Sequence, residues 1–346
     1  MKIICFLSTF SGPSGRFRFL QYEKKFKELG VDVVYTSIFP RRHFQIKNKF
    51  FGFYFSKFIE PIRMISVLLN GLRLPFYDVV FLNKDLSPSV RFFWYEKYFR
   101  FMNKNLFFDL DDAIFFGEGG LREKKFKEIF PLFKGIITSN NYLAEYIKKY
   151  SEKIKVIPMG IDLDKYLLKK SLKPSVTTIG WSGSDRSYDV TFPSVINAIK
   201  KVSKQRKIQL IIIKNTDPLL KIDGVNVKFI QWTKESEVQM LRKIDIGIMP
   251  LTNDKFQKYK SALKALQYMA LSKPALVSPI GVNKEIVIHG KHGYHCKTES
   301  DWVKNMIKLI DNPKLCVNMG VSGRKKIEKE HSLNVLIDDY IDFFRS

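Results

Sequence analysis

The chain has 346 residues, 45% hydrophobic and 14% aromatic, enough for about two domains with ordinary cores. Its net charge of +25 asks for anionic partners, but the cations are spread over both halves. No recognition-helix, zinc-finger or RNP pattern accompanies them, which sets nucleic acid aside.

Cys5, Cys296 and Cys316 show no framework spacing and no CxxC, which fits a reducing compartment. The first apolar run, Ile3–Leu7, is too short for a signal h-region or a spanning helix. The expectation is a soluble, cytoplasmic protein.

Strand and helix patterns then alternate. Lys2–Leu7, Val31–Thr36, Asp78–Leu82, Asn105–Leu110, Gly135–Thr138 and Lys153–Ile157 read as strands, with helices at Phe17–Leu29 and Tyr142–Tyr150. Ile161–Ser175 reads as a linker. The pattern restarts with strands at Thr177–Trp181, Ile208–Lys214, Val227–Ile230, Ile246–Met249 and Ala275–Val277. Helices are expected at Phe192–Gln205, Glu235–Lys243, from about Tyr259 to Ala270, and at Trp302–Ile310. Short apolar strands alternating with helices predict two doubly wound, Rossmann-like α/β domains facing a cleft: 1–160 and 176–332, joined by 161–175.

Ligands of such sheets lie beyond the carboxyl ends of the strands. The first strand runs into STFSGPSGRFRF, a Gly-Pro-Ser-Gly turn ending at Gly15 and then Arg16 and Arg18 entering a helix; its backbone N–H groups and arginines suit a phosphate. This is not GxGxxG, so a nicotinamide cofactor is poorly supported, and no cofactor is expected. After Asn105–Phe108 comes DLDDA, where Asp109, Asp111 and Asp112 repel one another and need hydrogen bonds, a metal or a cation. SGSDRS, with Gly183 and Arg186, is a second small-residue turn.

In YKSALKALQYMALSKPALVSPIG, Lys260, Lys264 and Gln267 form a polar stripe. Its lysines fall in the opening turns of a helix, where cations are disfavoured by roughly 0.3–1 kcal/mol each unless an anion is held there. The HGKHGYHC run is too crowded for its histidines to point one way, and no metal is assigned to it.

Together QWTKESEVQMLRKIDIGIMPL, KYKSALKALQYMALSKPALVSPIGVNKEIV, HGKHGY and GRKKIEKEHS resemble the C-terminal domain of retaining GT-B glycosyltransferases of family 4. A bacterial branch of that family is similar also in SGPSGRFRF, FDLDDAIF, TSNNYLAEYI, VIPMGIDL and IGWSGS. The resemblance implies a nucleotide-diphosphate sugar donor, a glycan or lipid-linked acceptor, and a role in surface-polysaccharide or glycan assembly. It also implies a final helix, in 333–346, that crosses back to the first domain.

On that resemblance Lys260 and Lys264, with Arg16 or Arg186, would face the diphosphate. Gln267 would reach a ribose hydroxyl, and Gln231-Trp232 would flank the base. Gly281, Asn283 and Glu285 would line the sugar-diphosphate site, and Asp111 and Asp112 would act on acceptor or donor sugar. Three positions depart from the broad family: Tyr259 and Gln267 replace a Glu pair, and Trp181 stands where an arginine is usual.

The alternatives are a GT-A transferase using Asp109 and Asp111 as a metal-binding DxD, and a GT-B nucleotide-sugar epimerase. Residues 41–75, rich in Phe, Lys and Arg with Glu60 as the single acid, read as a contact to an anionic membrane surface.

Overall fold

The computed structural model describes residues 1–37, 61–87, 93–168 and 176–346. The chain divides into two compact units, Met1–Met159 with Leu336–Ser346, and Gly160–Val335.

The first unit runs β1 (Lys2–Leu7), α1 (Pro13–Arg18), α2 (Glu23–Glu28), β2 (Asp32–Thr36), α3 (61–71), β3 (Val79–Asn83), α4 (Trp94–Met102), β4 (Leu106–Leu110), α5 (Leu121–Ile129), β5 (Gly135–Thr138), α6 (Asn141–Ile147) and β6 (Ile154–Val156). These strands form one parallel sheet, ordered β2-β1-β3-β4-β5-β6. β3, β4 and β5 are buried along their whole length, which is why they read as continuous apolar runs instead of alternating ones.

The single helix expected over Phe17–Leu29 is broken. Phe17, Arg18 and Phe19 are all buried, and three consecutive side chains cannot share one helix face. Phe19 leaves the helical basin (φ −142°, ψ −47°), and its ring stacks on Phe81 with centroids 4.4 Å apart.

Glu96 of α4 is wholly buried, accepting the Leu86 N–H at 2.9 Å. Burial pushes its pKa up to about 7, while Lys125 pulls the other way. An acid whose pKa is raised by folding lowers stability as pH rises, here between its unfolded value and about 7. Stability should therefore fall by up to ~3 kcal/mol from this residue across that window. Glu96→Gln should flatten that part of a melting-temperature-versus-pH curve; an unchanged slope would refute the assignment.

The second unit runs β7 (Thr177–Ser182), α7 (Asp185–Thr191), α8 (Pro193–Ser203), β8 (Ile208–Lys214), β9 (Asn226–Gln231), α9 (Glu237–Leu241), β10 (Ile246–Met249), α10 (Leu263–Ala270), β11 (Ala275–Val277), α11 (Asn283–Ile286), β12 (Gly293–His295), α12 (Glu299–Asp311) and α13 (Pro313–Glu330). Its sheet is also parallel, ordered β12-β11-β10-β7-β8-β9. The expected helix Phe192–Gln205 starts at Pro193, which has no N–H to continue a helix from before it, so α7 is separate.

α10 is buried from Ala265 to Ala270, and it packs on β10 where a Cβ on Gly247 would stand 2.2 Å from the Tyr268 ring. Glycine is required there by that close approach. The HGKHGYHC run supplies the edge strand β12. Its histidines serve the backbone: His289 Nδ1 accepts from His295 N–H at 3.1 Å and His292 Nδ1 from Ile288 N–H at 3.3 Å.

Residues 161–166, within the segment read as a linker, belong to the second unit. Ile161 bridges Ser332, and Tyr166 is buried; 169–175 lie outside the described residues. The last helix, α14 (Leu333–Arg345), carries the chain back into the first unit. There the Tyr340 hydroxyl donates to the Arg18 carbonyl at 2.8 Å, and Phe343 and Phe344 pack edge-on against Phe107.

Candidate functional site

In each sheet the order reverses beside the first strand: β7 lies between β8 and β10, and β1 between β2 and β3. The crevice outside the carboxyl ends at such a reversal is where open parallel sheets hold ligands.

In the second unit the loops leaving β7 and β10 bring two cations to one aromatic ring. Arg186, in the first turn of α7, stands with its guanidinium carbon 5.9 Å from the Phe256 centroid. Lys260 Nζ stands 5.4 Å from the same centroid. Asp254 lies in this loop, and although burial works against its charge, bonds from Thr252, Gln257 and Phe256 and the nearby Lys260 hold its pKa below the ordinary value.

Lys260 does not sit in the opening turn of α10, as the sequence pattern suggested. The helix begins at Leu263, after Ala262 in the left-handed region (φ +55°), and Lys260 belongs to the loop before it. A non-glycine residue held there is a strain that surrounding structure must sustain.

Lys264 does stand in the first turn, which contains no acidic residue and no side-chain cap. Its Nζ lies 2.8 Å from Gln267 Oε1 and 3.4 Å from Glu237 Oε1. Glu237, itself buried, also accepts the Trp232 indole N–H at 3.2 Å. Gln267 is 0% exposed and donates through Nε2 to the Tyr166 hydroxyl at 2.6 Å. Where the sequence reading had Gln267 reaching a ribose hydroxyl, both ends of its amide are engaged inside the unit, and its Oε1 orients Lys264.

Other expected donor residues divide the same way. Gly183 is small because a Cβ there would meet the Trp181 ring at 2.6 Å, and Trp181 itself is core, packed against Tyr188 and Phe192. Gln231 is exposed at the end of β9. Gly281 (φ +54°) is forced by the Lys258 carbonyl, 2.1 Å from where its Cβ would be. Asn283 is buried and donates to the Ser278 carbonyl at 3.1 Å, shaping the loop after β11, whereas Glu285 is exposed.

In the first unit Asp109 is not a ligand group. Arg18 Nη2 and Nε reach its Oδ1 at 2.7 and 3.0 Å, and Asn83 Nδ2 reaches Oδ2 at 2.9 Å. Arg18 also donates to the Ile157 and Pro158 carbonyls at 2.6 and 3.2 Å. Both members of the pair are 0% exposed. Burial opposes the guanidinium charge, but the adjoining Asp109 carboxylate raises its pKa above the ordinary value.

Both oxygens of Asp109 are thus engaged by Arg18 and Asn83 inside the unit. Among the described residues no group of three or more His, Cys, Asp or Glu is arranged to hold a metal.

Asp111 is placed differently. Its Oδ1 accepts from Ser14 Oγ at 2.8 Å and lies 3.7 Å from Lys84 Nζ. Lys84 follows β3 in the left-handed region (φ +78°). Burial works against its charge, but Asp111, Asp112, Asp85 and Asp109 raise its pKa. Asp112 is half-buried, and its Oδ1 accepts the N–H of Ala113 at 3.0 Å. Gly15 is buried beneath the Thr9 carbonyl, 2.6 Å from where its Cβ would lie, and Arg16 is half-buried with its guanidinium over Phe17.

Sequence reasoning missed Lys84, Glu237, Tyr166 and Ser14. Each acts through a partner far along the chain, and no local spacing marks it.

Residues 142–312, just under half of the chain, match the family model described as glycosyl transferases group 1. The chain is a glycosyltransferase. No curated protein matches the sequence. Solved structures share its fold: a glycosyltransferase from Rickettsia africae (TM-score 0.72, 13% identity, covering 99% of this chain and 97% of that one) and sucrose-phosphate synthase from Thermosynechococcus elongatus (0.72, 13%, 100% and 98%). HepE from Anabaena, in complex with UDP and glucose, is similar too (0.69, 12%, 99% and 98%). The two-unit glycosyltransferase thus has the GT-B fold, which sets the GT-A alternative aside.

Proposed function

We propose that this glycosyltransferase moves a sugar from a nucleotide-diphosphate sugar to a glycan or lipid-linked acceptor, with retention and without a divalent metal, in bacterial surface-polysaccharide or glycan assembly. The observation that carries the reading is the meeting of Arg186 and Lys260 on the Phe256 ring at the strand-order reversal of the second sheet. Lys264 and the uncapped first turn of α10 follow in the same stretch of chain.

The donor's diphosphate gains negative charge as the glycosidic bond breaks. Fixed cations and helix N–H groups aimed at it stabilise the transition state more than the ground state, usually the largest contribution in such chemistry. The Trp232 indole, held by Glu237, is the group in this unit suited to flank the base. Asp111, set by Ser14 and Lys84, serves the acceptor hydroxyl or the transferred sugar. HepE was crystallised with UDP-glucose, which makes uridine nucleotides the first donors to try.

The test is release of nucleoside diphosphate from a nucleotide sugar with and without EDTA. Turnover should survive EDTA; loss restored by Mn²⁺ would overturn the metal-free reading. Asp111→Asn should lower kcat at least tenfold while changing donor KM by less than about threefold, because its contacts lie in the first unit. A large rise in donor KM with kcat intact would move Asp111 to the donor.

A further inference from the structure

α3 is inside out. At about 100° per residue, Ile62, Met64, Ile65, Leu68, Leu69 and Leu72 occupy one continuous arc of roughly 160°. All six are exposed, by 40% to 61%. The polar positions Arg63, Ser66 and Asn70 lie on the opposite side, where the Arg63 guanidinium is buried and donates to Ser87 Oγ at 3.2 Å. A surface helix of a globular protein shows the reverse arrangement.

The orientation is pinned by packing. Val67 and Leu74 are buried, a Cβ on Gly71 would stand 2.1 Å from the Tyr98 ring of α4, and the Tyr98 hydroxyl donates to the Leu68 carbonyl at 3.2 Å. Just beyond α4, Asn103 donates to the Leu74 and Tyr77 carbonyls, both at 2.8 Å. The segments joined there carry Phe76 and Phe101, 79% and 76% exposed, the largest aromatic exposures in the described chain. Single exposed apolar residues are ordinary, but a contiguous face of this kind marks an interaction surface.

The charges around the face identify what it meets. Over 61–78 and 93–104 the exposed or half-buried cations are Arg73, Lys97, Arg100 and Lys104. The acids are Glu96, which is buried, and Asp78, which accepts the Lys2 backbone N–H at 2.7 Å. A protein partner would have to pair with segments whose accessible charge is mostly positive, and a second copy of this chain would set those cations against one another. A bilayer containing anionic lipid accepts both features at once: apolar side chains at the acyl boundary and cations among headgroups.

No helix of the described residues is long and apolar enough to cross a membrane, so the contact is one of lying on the surface. We infer that the exposed face of α3, with Phe76 and Phe101, docks this transferase on an anionic membrane surface. Such docking selects the lipid-linked acceptor over the soluble glycan. That extension rests on the transferase reading, whereas the docking itself rests on α3 alone.

The test is sedimentation of the full chain with vesicles of phosphatidylcholine, with and without phosphatidylglycerol, at low and high salt. Three variants are compared: Ile65→Ser with Leu69→Ser, which keeps every charge; Phe76→Ser with Phe101→Ser; and Arg73→Glu with Lys104→Glu. Release of nucleoside diphosphate from the donor in solution checks that each is folded.

Wild type should bind the anionic vesicles only, and each paired variant should weaken binding at least tenfold with donor turnover in solution retained. Absence of binding by wild type at low salt would overturn the proposal. So would binding equal in wild type and the serine variants, which would assign it to the general +25 charge. A wild-type dimer that ignores vesicles and is dissolved by the serine variants would assign the face to a second copy. In each of these cases the donor-site reading stands or falls separately, on nucleotide release.

Discussion

Asp109→Ala should destabilise the first unit by about 3–5 kcal/mol, the cost of leaving a buried charge without its partner. Arg18 would keep its carbonyl bonds to Ile157 and Pro158 but lose the carboxylate that its Nε and Nη2 grip together. Neither residue touches solvent, so water cannot take the place of the lost group. The pair also joins four pieces of chain: α1, the end of β4, the turn after β6 and, through the Arg18 carbonyl, Tyr340 of α14. Urea unfolding followed by circular dichroism would measure the loss. The paired change Arg18→Met with Asp109→Leu should recover a substantial part, since it removes both buried charges. A loss under about 1 kcal/mol in Asp109→Ala would show that the pair is not holding the unit together.

Lys264→Ala and Lys260→Ala should each lower kcat/KM for donor turnover at least tenfold, about 1.4 kcal/mol of transition-state stabilisation. The two lysines reach this result by different routes. Lys264 stands in the first turn of α10, oriented by Gln267 and Glu237, so its removal also leaves Glu237 with the Trp232 indole alone among those partners. Lys260 lies in the loop before the left-handed Ala262 and shares the Phe256 ring with Arg186. Because charge on the diphosphate grows during bond breaking, kcat should fall as well as affinity. Wild-type kinetics in both variants would return these lysines to ordinary surface.

Much of the sheet was legible because its strands are short apolar runs bounded by turn residues. Lys2–Leu7, Gly135–Thr138, Ile208–Lys214, Ile246–Met249 and Ala275–Val277 have the expected limits. The edge strand β12 was hidden by the glycines and histidines of its run, whose side chains serve neighbouring backbone instead of a ligand. The start of α10 was not readable either. Nothing in KSAL announces a left-handed alanine, and a continuous helical pattern carried the expectation back to Lys260.

The candidate site was legible in kind but not in roles. Asp109, Asp111 and Asp112 look alike in DLDDA, and the first two, being two apart, would share a strand face; yet Asp109, inside β4, pairs with buried Arg18, while Asp111, past the strand's end, meets Ser14 and Lys84. Gln267 shares a stripe with Lys264, but α10 is buried beyond its first turn, so the stripe turns inward after Lys264. Such assignments depend on partners about a hundred residues away, as Ser14 is from Asp111 and Tyr166 from Gln267. Local pattern carries no information on them.

The central claim is that the second unit holds a nucleotide-diphosphate sugar on Arg186, Lys260 and Lys264. Its most direct test is a thermal-shift panel of nucleotide sugars against wild type and Lys264→Ala, with 100 times the dissociation constant worth about 2.7 kcal/mol of stabilisation. At least one nucleotide sugar should raise the wild-type melting temperature, and the same concentration should give a much smaller shift in Lys264→Ala. No shift with any nucleotide sugar, or an equal shift in the variant, would contradict the account.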